Sequence, residues 1–162
     1  MKTILAIDPG TTTLGYAVLT LKGEDVNLID SGSVEFEGCD TILHKLNRIY
    51  GTVIDLLSEH QPEYVMLERT FKVDRGSVPL VVAIKLIKEV IDLLKDVKLV
   101  QENAMTVRAY HGVGARDSAT AKERVKKLVI EIFDLDDDLP YDVYDAVLLG
   151  YYLACTIESR GI

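Results

Sequence analysis

The chain has 162 residues, with 18 Lys and Arg against 26 Asp and Glu, so its formal net charge is −8. Hydrophobic residues make up 48% and charged residues 27%, the profile of one folded domain over residues 1–162 rather than a disordered tail or low-complexity linker. No apolar run reaches the roughly 18 residues that span a bilayer. Met1 to Asp8 lacks the pattern of a signal peptide. A membrane partner is therefore not expected, and a cytoplasmic location is. Cys39 and Cys155 lie far apart without metal-ligand spacing, which excludes a zinc module and leads us to expect two small buried thiols in a reducing compartment.

Lys2 to Ile7 is a β-type apolar run ending at the turn signal Asp8-Pro9-Gly10. Strands are predicted over Tyr16 to Leu21 and Val26 to Phe36, the latter with a kink near Ser31-Gly32; close spacing makes the three an antiparallel meander. Apolar residues at three- and four-residue intervals predict a helix from Thr41 to Glu59 with Asp40 as N-cap. Tyr64 to Leu67 reads as a fourth strand closing on Glu68, and Phe71 to Ser77 as a basic loop. A helix from Pro79 to Leu94 is apolar on more than one face, which suits burial either between subunits or against its own sheet. A fifth strand covers Val97 to Val100, and a short helix Ala104 to Tyr110 precedes a glycine-flanked loop. Helices from Ser118 to Phe133 and from Tyr141 to Glu158, with Ser118 and Pro140 as start signals, complete the chain. The order implies an α/β fold: a mixed five-stranded sheet, meander plus two parallel strands, with helices on both faces.

Charge is distributed unevenly. Arg69 to Lys88 holds five bases against one acid, and Met105 to Lys127 six bases against two. Such islands allow an acidic protein to bind a polyanion locally, with steep salt dependence.

Four carboxylates stand out by position. Asp8 and Glu68 close the first and fourth strands; if these are parallel neighbours, both acids project from one sheet edge, where open α/β folds place their sites. Asp142 and Asp145, three apart at the start of the last helix, share one helical face. Four such charges brought together would repel strongly unless neutralised, and an oxygen-only donor set selects hard divalent ions such as Mg²⁺ or Mn²⁺. The plainer reading makes Asp142 and Asp145 helix N-terminal charges and Asp8 a turn residue. Position alone leaves both open.

Three motifs in order resemble a known family. Ile7-Asp8-Pro9-Gly10-Thr11-Thr12-Thr13-Leu14-Gly15-Tyr16, the stretch Gln61 to Phe71 around Glu68, and Tyr141-Asp142-Val143-Tyr144-Asp145-Ala146-Val147 are similar to the motifs of RuvC-type Holliday-junction resolvases, of the RNase H-like (retroviral integrase) superfamily. The resemblance implies that Asp8, Glu68, Asp142 and Asp145 are catalytic and bind two Mg²⁺ ions, with Mn²⁺ as substitute. It implies an endodeoxyribonuclease that nicks four-way junction DNA symmetrically as a homodimer in recombination and repair, leaving 5′-phosphates. Phe71 would stack on the opened crossover. Arg108 and Lys122 would flank the scissile phosphate, and Arg69, Lys72, Arg75 and Arg116 would add DNA contacts. A branch-migration helicase is a further expected partner. Arg69 stands where many relatives carry glutamine, and Lys72 to Ile87 lacks the family's usual run, which implies a divergent, phage-like member. The alternatives are a related nuclease acting on structured RNA and an actin- or sugar-kinase-like ATP-binding lobe, which Asp-Pro-Gly-Thr-Thr also resembles.

Overall fold

The computed structural model describes residues 1–10, 12–36, 41–69 and 78–161. The chain runs β1 (Lys2–Pro9), β2 (Thr13–Lys22), β3 (Asp25–Glu35), α1 (Ile42–His60), β4 (Tyr64–Glu68), α2 (Val78–Asp92), β5 (Lys98–Glu102), α3 (Ala104–Tyr110), α4 (Ser118–Phe133) and α5 (Tyr141–Thr156). The sheet order is β3-β2-β1-β4-β5. β1, β2 and β3 form the expected antiparallel meander, while β4 and β5 join β1 in parallel. Strand alternation sends Ile4, Ala6, Tyr64 and Met66 into a core shared with α4 and α5, and Leu5, Ile7, Val65 and Leu67 into a second core under α1 and α2. No described helix is long and apolar enough to cross a membrane.

Ser31-Gly32 does not kink β3: both residues pair regularly, with Ala17 and Tyr16. The irregularity falls at Ile29, because Val18 faces Asp30 while Leu19 faces Leu28. The extra residue points 57% exposed into solvent, so the alternation on either side is kept in register.

The helix starts also differ by a residue from expectation. Thr41, not Asp40, caps α1, its Oγ1 accepting from the His44 amide at 3.2 Å; Asp40 lies outside the described residues. Asp117, not Ser118, caps α4, accepting from the Thr120 amide at 2.8 Å. In both cases a side-chain oxygen three residues before the amide has the reach to satisfy it. Thr41→Ala is expected to destabilise the protein by about 1 kcal/mol in urea unfolding, with an unchanged slope. A loss below about 0.3 kcal/mol would assign the α1 start to packing alone.

Helix α2 divides its apolar residues. Ala83, Ile84, Ile87, Val90 and Ile91 are buried in the core beneath the sheet, whereas Val82 is 43% exposed. Most of its apolar surface thus covers its own sheet. Cys155 is an exposed free thiol near the end of α5, not a core residue, because it lies on the outward side of a turn whose neighbours Leu153, Ala154 and Thr156 are buried; Cys39 lies outside the described residues.

His111, just past α3, stacks on Tyr151 with ring centroids 5.1 Å apart, and its Nε2 is buried without a hydrogen-bond partner. Burial pushes the imidazole pKa down. As pH falls, the unfolded chain therefore takes the proton first, and stability is lost below the ordinary histidine range near about 6.5. His111→Phe is expected to remove this loss, worth less than about 1 kcal/mol after solvent screening. Comparing urea melts at pH 7.5 and 5 reads it as a smaller acid-side drop in the variant.

Candidate active site

β1 and β4 are adjacent and parallel, with Ile7 opposite Leu67, so the next residues on each strand, Asp8 and Glu68, stand side by side at the C-terminal edge of the sheet. Both follow residues of the α4/α5 core by two positions, and both therefore face α5. Helix α5 is seated on this face by two close approaches. A Cβ on Gly15, the β2 partner of Asp8, would stand 2.1 Å from the Asp142 carbonyl oxygen, and one on Gly150 would stand 2.3 Å from Leu19 Cδ1. Only hydrogen at these positions lets the helix head descend onto β1 and β2.

Tyr144 fixes that head from the other side. Its side chain is fully buried, its hydroxyl donates to the Asp136 carbonyl at 2.5 Å, and it accepts from the Leu139 amide at 3.2 Å. Pro140 supplies the N-cap position without a side-chain bond.

The four carboxylates meet. Burial, a hydrogen bond with Glu68, and the charges of Glu68, Asp145 and Asp142 all hold the Asp8 carboxyl well above the usual carboxylate range. Asp142 is pushed up by burial and by its acidic neighbours, with Lys122 pulling it back down. Asp145 receives a hydrogen bond from Arg108 Nη2 at 2.9 Å, both side chains largely buried. A small cleft lined by Glu68, Val107, Arg108, Asp145 and Leu148 opens beside them. Asn103 caps α3 through the Thr106 amide at 2.8 Å, and so sets the turn that carries Arg108.

Among the described residues, no three His, Cys, Asp or Glu side chains stand in a ready-made metal cage. The crowding is met in part by the Arg108 guanidinium on Asp145, while the Asp8 carboxyl, beside Glu68, is held well above its usual range. A donor set made of carboxylate oxygens alone, with more negative charge than the protein's own cations neutralise, fits a hard divalent ion.

The other basic positions are spread more widely. Lys122 is half-buried beside Asp142. Arg69 is exposed just past β4, where its amide donates to the Glu102 carbonyl at 2.7 Å. Arg116 is exposed on the connection before α4. Phe71, Lys72 and Arg75 lie outside the described residues.

Two features were not foreseen from the sequence. Glu102, the β5 partner of Glu68, is a further acid at the same edge, held by Arg160 Nη2 at 3.1 Å. Tyr141, immediately before Asp142, lies under the ammonium groups of Lys122 and Lys126. Its signal in the sequence was an aromatic residue next to a catalytic-type acid, with two lysines one helical turn apart upstream.

A mixed five-stranded sheet with acids at the ends of its two central parallel strands, crossed by a helix carrying two more, defines the class: an RNase H-like nuclease fold. RuvC of Thermus thermophilus in complex with a Holliday junction superposes with a TM-score of 0.75 at 22% identity, covering 97% of this chain and 96% of that one. The fowlpox virus resolvase with its Holliday junction DNA gives 0.64 at 16% identity, over 99% of each chain. The model of the family "Crossover junction endodeoxyribonuclease RuvC" matches residues 4–151, and the chain belongs to that family. Among curated relatives, the RuvC of Actinobacillus succinogenes is 26% identical over 160 residues, 98% of this chain and 82% of that protein.

Proposed function

We propose that this chain is a crossover junction endodeoxyribonuclease that resolves four-way DNA junctions, with Asp8, Glu68, Asp142 and Asp145 holding two divalent ions, Mg²⁺ or in its place Mn²⁺. The observation that carries the reading is the gathering of these four acids at one sheet edge, with Asp8 and Asp142 both raised, by burial first and by the other carboxylates after it, in a chain of the RuvC family. Two such ions would activate the attacking water and stabilise the leaving oxygen, giving 5′-phosphate and 3′-hydroxyl ends.

The chain's own residues prepare that event. Asp8, Glu68, Asp142 and Asp145 would hold the ions through their carboxylate oxygens, with Arg108 steadying Asp145 through Oδ1. Arg108, beside Asp145, and Lys122, near Asp142, would then face the scissile phosphate, the first as a planar donor and the second as a compact charge. Arg69, Lys72, Arg75 and Arg116 extend the contact along the arms, and Phe71 stacks on the opened crossover; aromatic stacking of this kind is worth roughly 1–3 kcal/mol per base.

Symmetric cutting calls for a homodimer. Leu43, Tyr50 and Ile54 support one: all are exposed, and at 100° per residue they form one stripe about 40° wide along α1, flanking the side that buries Ile49 and Val53. The exposed Cys155 thiol is consistent with a cytoplasmic location. A branch-migration helicase is the partner expected to deliver the junction.

The deciding experiment is incubation with an immobile four-way junction, each strand end-labelled in turn, with Mg²⁺, Mn²⁺ or chelator. Paired nicks at symmetric positions, dependent on the metal, are expected. A parallel arm uses structured RNA; cleavage of the RNA with an intact junction would overturn the substrate assignment. A shift of the melting temperature by ATP would instead favour the ATP-lobe reading.

A further inference from the structure

Lys122 reaches the active site from α4, whereas its neighbour Asp142 belongs to α5, and no backbone pairing fixes the one against the other. A lysine side chain has four rotatable bonds and loses substantial entropy when held. Something must hold this one if it is to meet a phosphate reproducibly.

The first residue of α5 does so. Lys122 Nζ lies 5.6 Å from the centroid of the Tyr141 ring. Lys126, one turn further along α4, lies 6.0 Å from the same ring and 5.7 Å from that of Tyr144, and its ammonium also donates to the Asp137 carbonyl. The Tyr141 hydroxyl bonds the Glu123 carboxylate, which fixes the ring from α4 and occupies the acid next to Lys122. Lys126 is thus committed to the connection before α5. Lys122 lies over an aromatic face, within reach of the charge of the Asp142 carboxylate.

We infer that Tyr141 is a positioning residue for cleavage: its ring fixes the Lys122 ammonium beside Asp142, where it meets a phosphate of the bound DNA strand. The ring attracts the cation through its quadrupole without neutralising it, so the charge stays available to the phosphate. A carboxylate in the same place would hold the lysine more firmly and cancel it. The position one residue ahead of Asp142 couples the lysine to the helix that carries half of the acid cluster. The inference rests on the reading of Lys122 as a phosphate contact.

The experiment uses the full chain with Tyr141→Phe, Tyr141→Leu, Lys122→Met and the double variant Tyr141→Leu/Lys122→Met, assayed by single-turnover junction cleavage. Tyr141→Phe keeps the π face but gives up the hydroxyl bond to Glu123, and is expected to slow cleavage about threefold, well short of Tyr141→Leu. Tyr141→Leu keeps apolar bulk without the π face and is expected to slow cleavage about tenfold, as a misplaced contact does. In the Lys122→Met background the same change is expected to cost nothing more. Lys122→Met should also lower the slope of log binding constant against log salt by about 0.9. Equal rates for Tyr141→Leu and Tyr141→Phe, or additive losses in the double variant, would overturn the inference, additivity marking a direct DNA contact or a structural role. An unaltered rate and salt slope in Lys122→Met would overturn the parent reading instead. Proton NMR of the unsubstituted protein gives a test that does not depend on any variant folding. The Lys122 ε-methylene should resonate upfield of the exposed lysines through the ring current, and a shift matching theirs would overturn the placement.

Discussion

Asp8→Asn is expected to reduce metal-dependent junction nicking by about 10³-fold or more while junction binding survives. The same variant should be more stable than the parent in metal-free buffer. The Asp8 carboxyl is buried against Glu68, Asp145 and Asp142, and all of these hold its pKa above the ordinary value. A carboxyl raised in the folded state is ionised first in the unfolded chain. Stability is therefore complete below the usual carboxylate range and is lost as pH rises through the raised value. Asparagine keeps the shape and removes the charge, and relieving a buried uncompensated group is worth about 2 kcal/mol. At about 2–4 °C per kcal/mol, the melting temperature at pH 8 should rise by about 4–8 °C. Mg²⁺ should stabilise the parent and leave the variant unmoved. Full nicking activity, or a lower metal-free melting temperature, would remove Asp8 from the cluster.

Gly15→Ala should impair both the fold and the chemistry through one methyl group. The new Cβ would lie 2.1 Å from the Asp142 carbonyl oxygen and 2.5 Å from its carbon, both backbone atoms that no rotamer change can move. The head of α5 has to lift. Overpacking of this kind costs about 1–3 kcal/mol. The displacement carries Asp142 and Asp145 away from Asp8 and Glu68, and a shift of about 1 Å can cost about 100-fold in rate. Gly114→Ala is the control, since nothing lies within 4 Å of a Cβ there. Urea melts and single-turnover rates read both effects. A variant with parental stability and rate would mean that α5 does not depend on Gly15 for its seat.

These two residues show what was legible and why. Asp8 was found because a β-type run ends on it at a turn, and Glu68 because a second run ends on it, both local signals. Gly15 was visible only as part of a family-like motif; its reason is a contact with residue 142, which no local pattern contains. The helix caps illustrate the limit at short range. Asp40 and Thr41 are adjacent residues of types that both cap helices, so composition could not separate them, and the cap is seen at Thr41, whose Oγ1 accepts from the His44 amide. The Ile29 irregularity was placed at the glycine instead, since glycine is the usual mark of a break while a bulge can use any exposed residue. Arg108 was singled out as basic, yet its bond to Asp145 joins positions 37 apart in the chain.

The amino-acid sequence by itself determined the set and order of the elements, the two-faced core and the placing of four acids at the ends of strands and the head of a helix. These depend on apolar periodicity and turn chemistry, which act over a few residues. Tertiary structure alone decided that Asp8 and Glu68 are neighbours, that Asp145 is matched by Arg108, and that Lys122 rests on Tyr141. Each is a pairing across distant parts of the chain, set by the parallel register of β1 and β4 and by the seat of α5 rather than by any local preference.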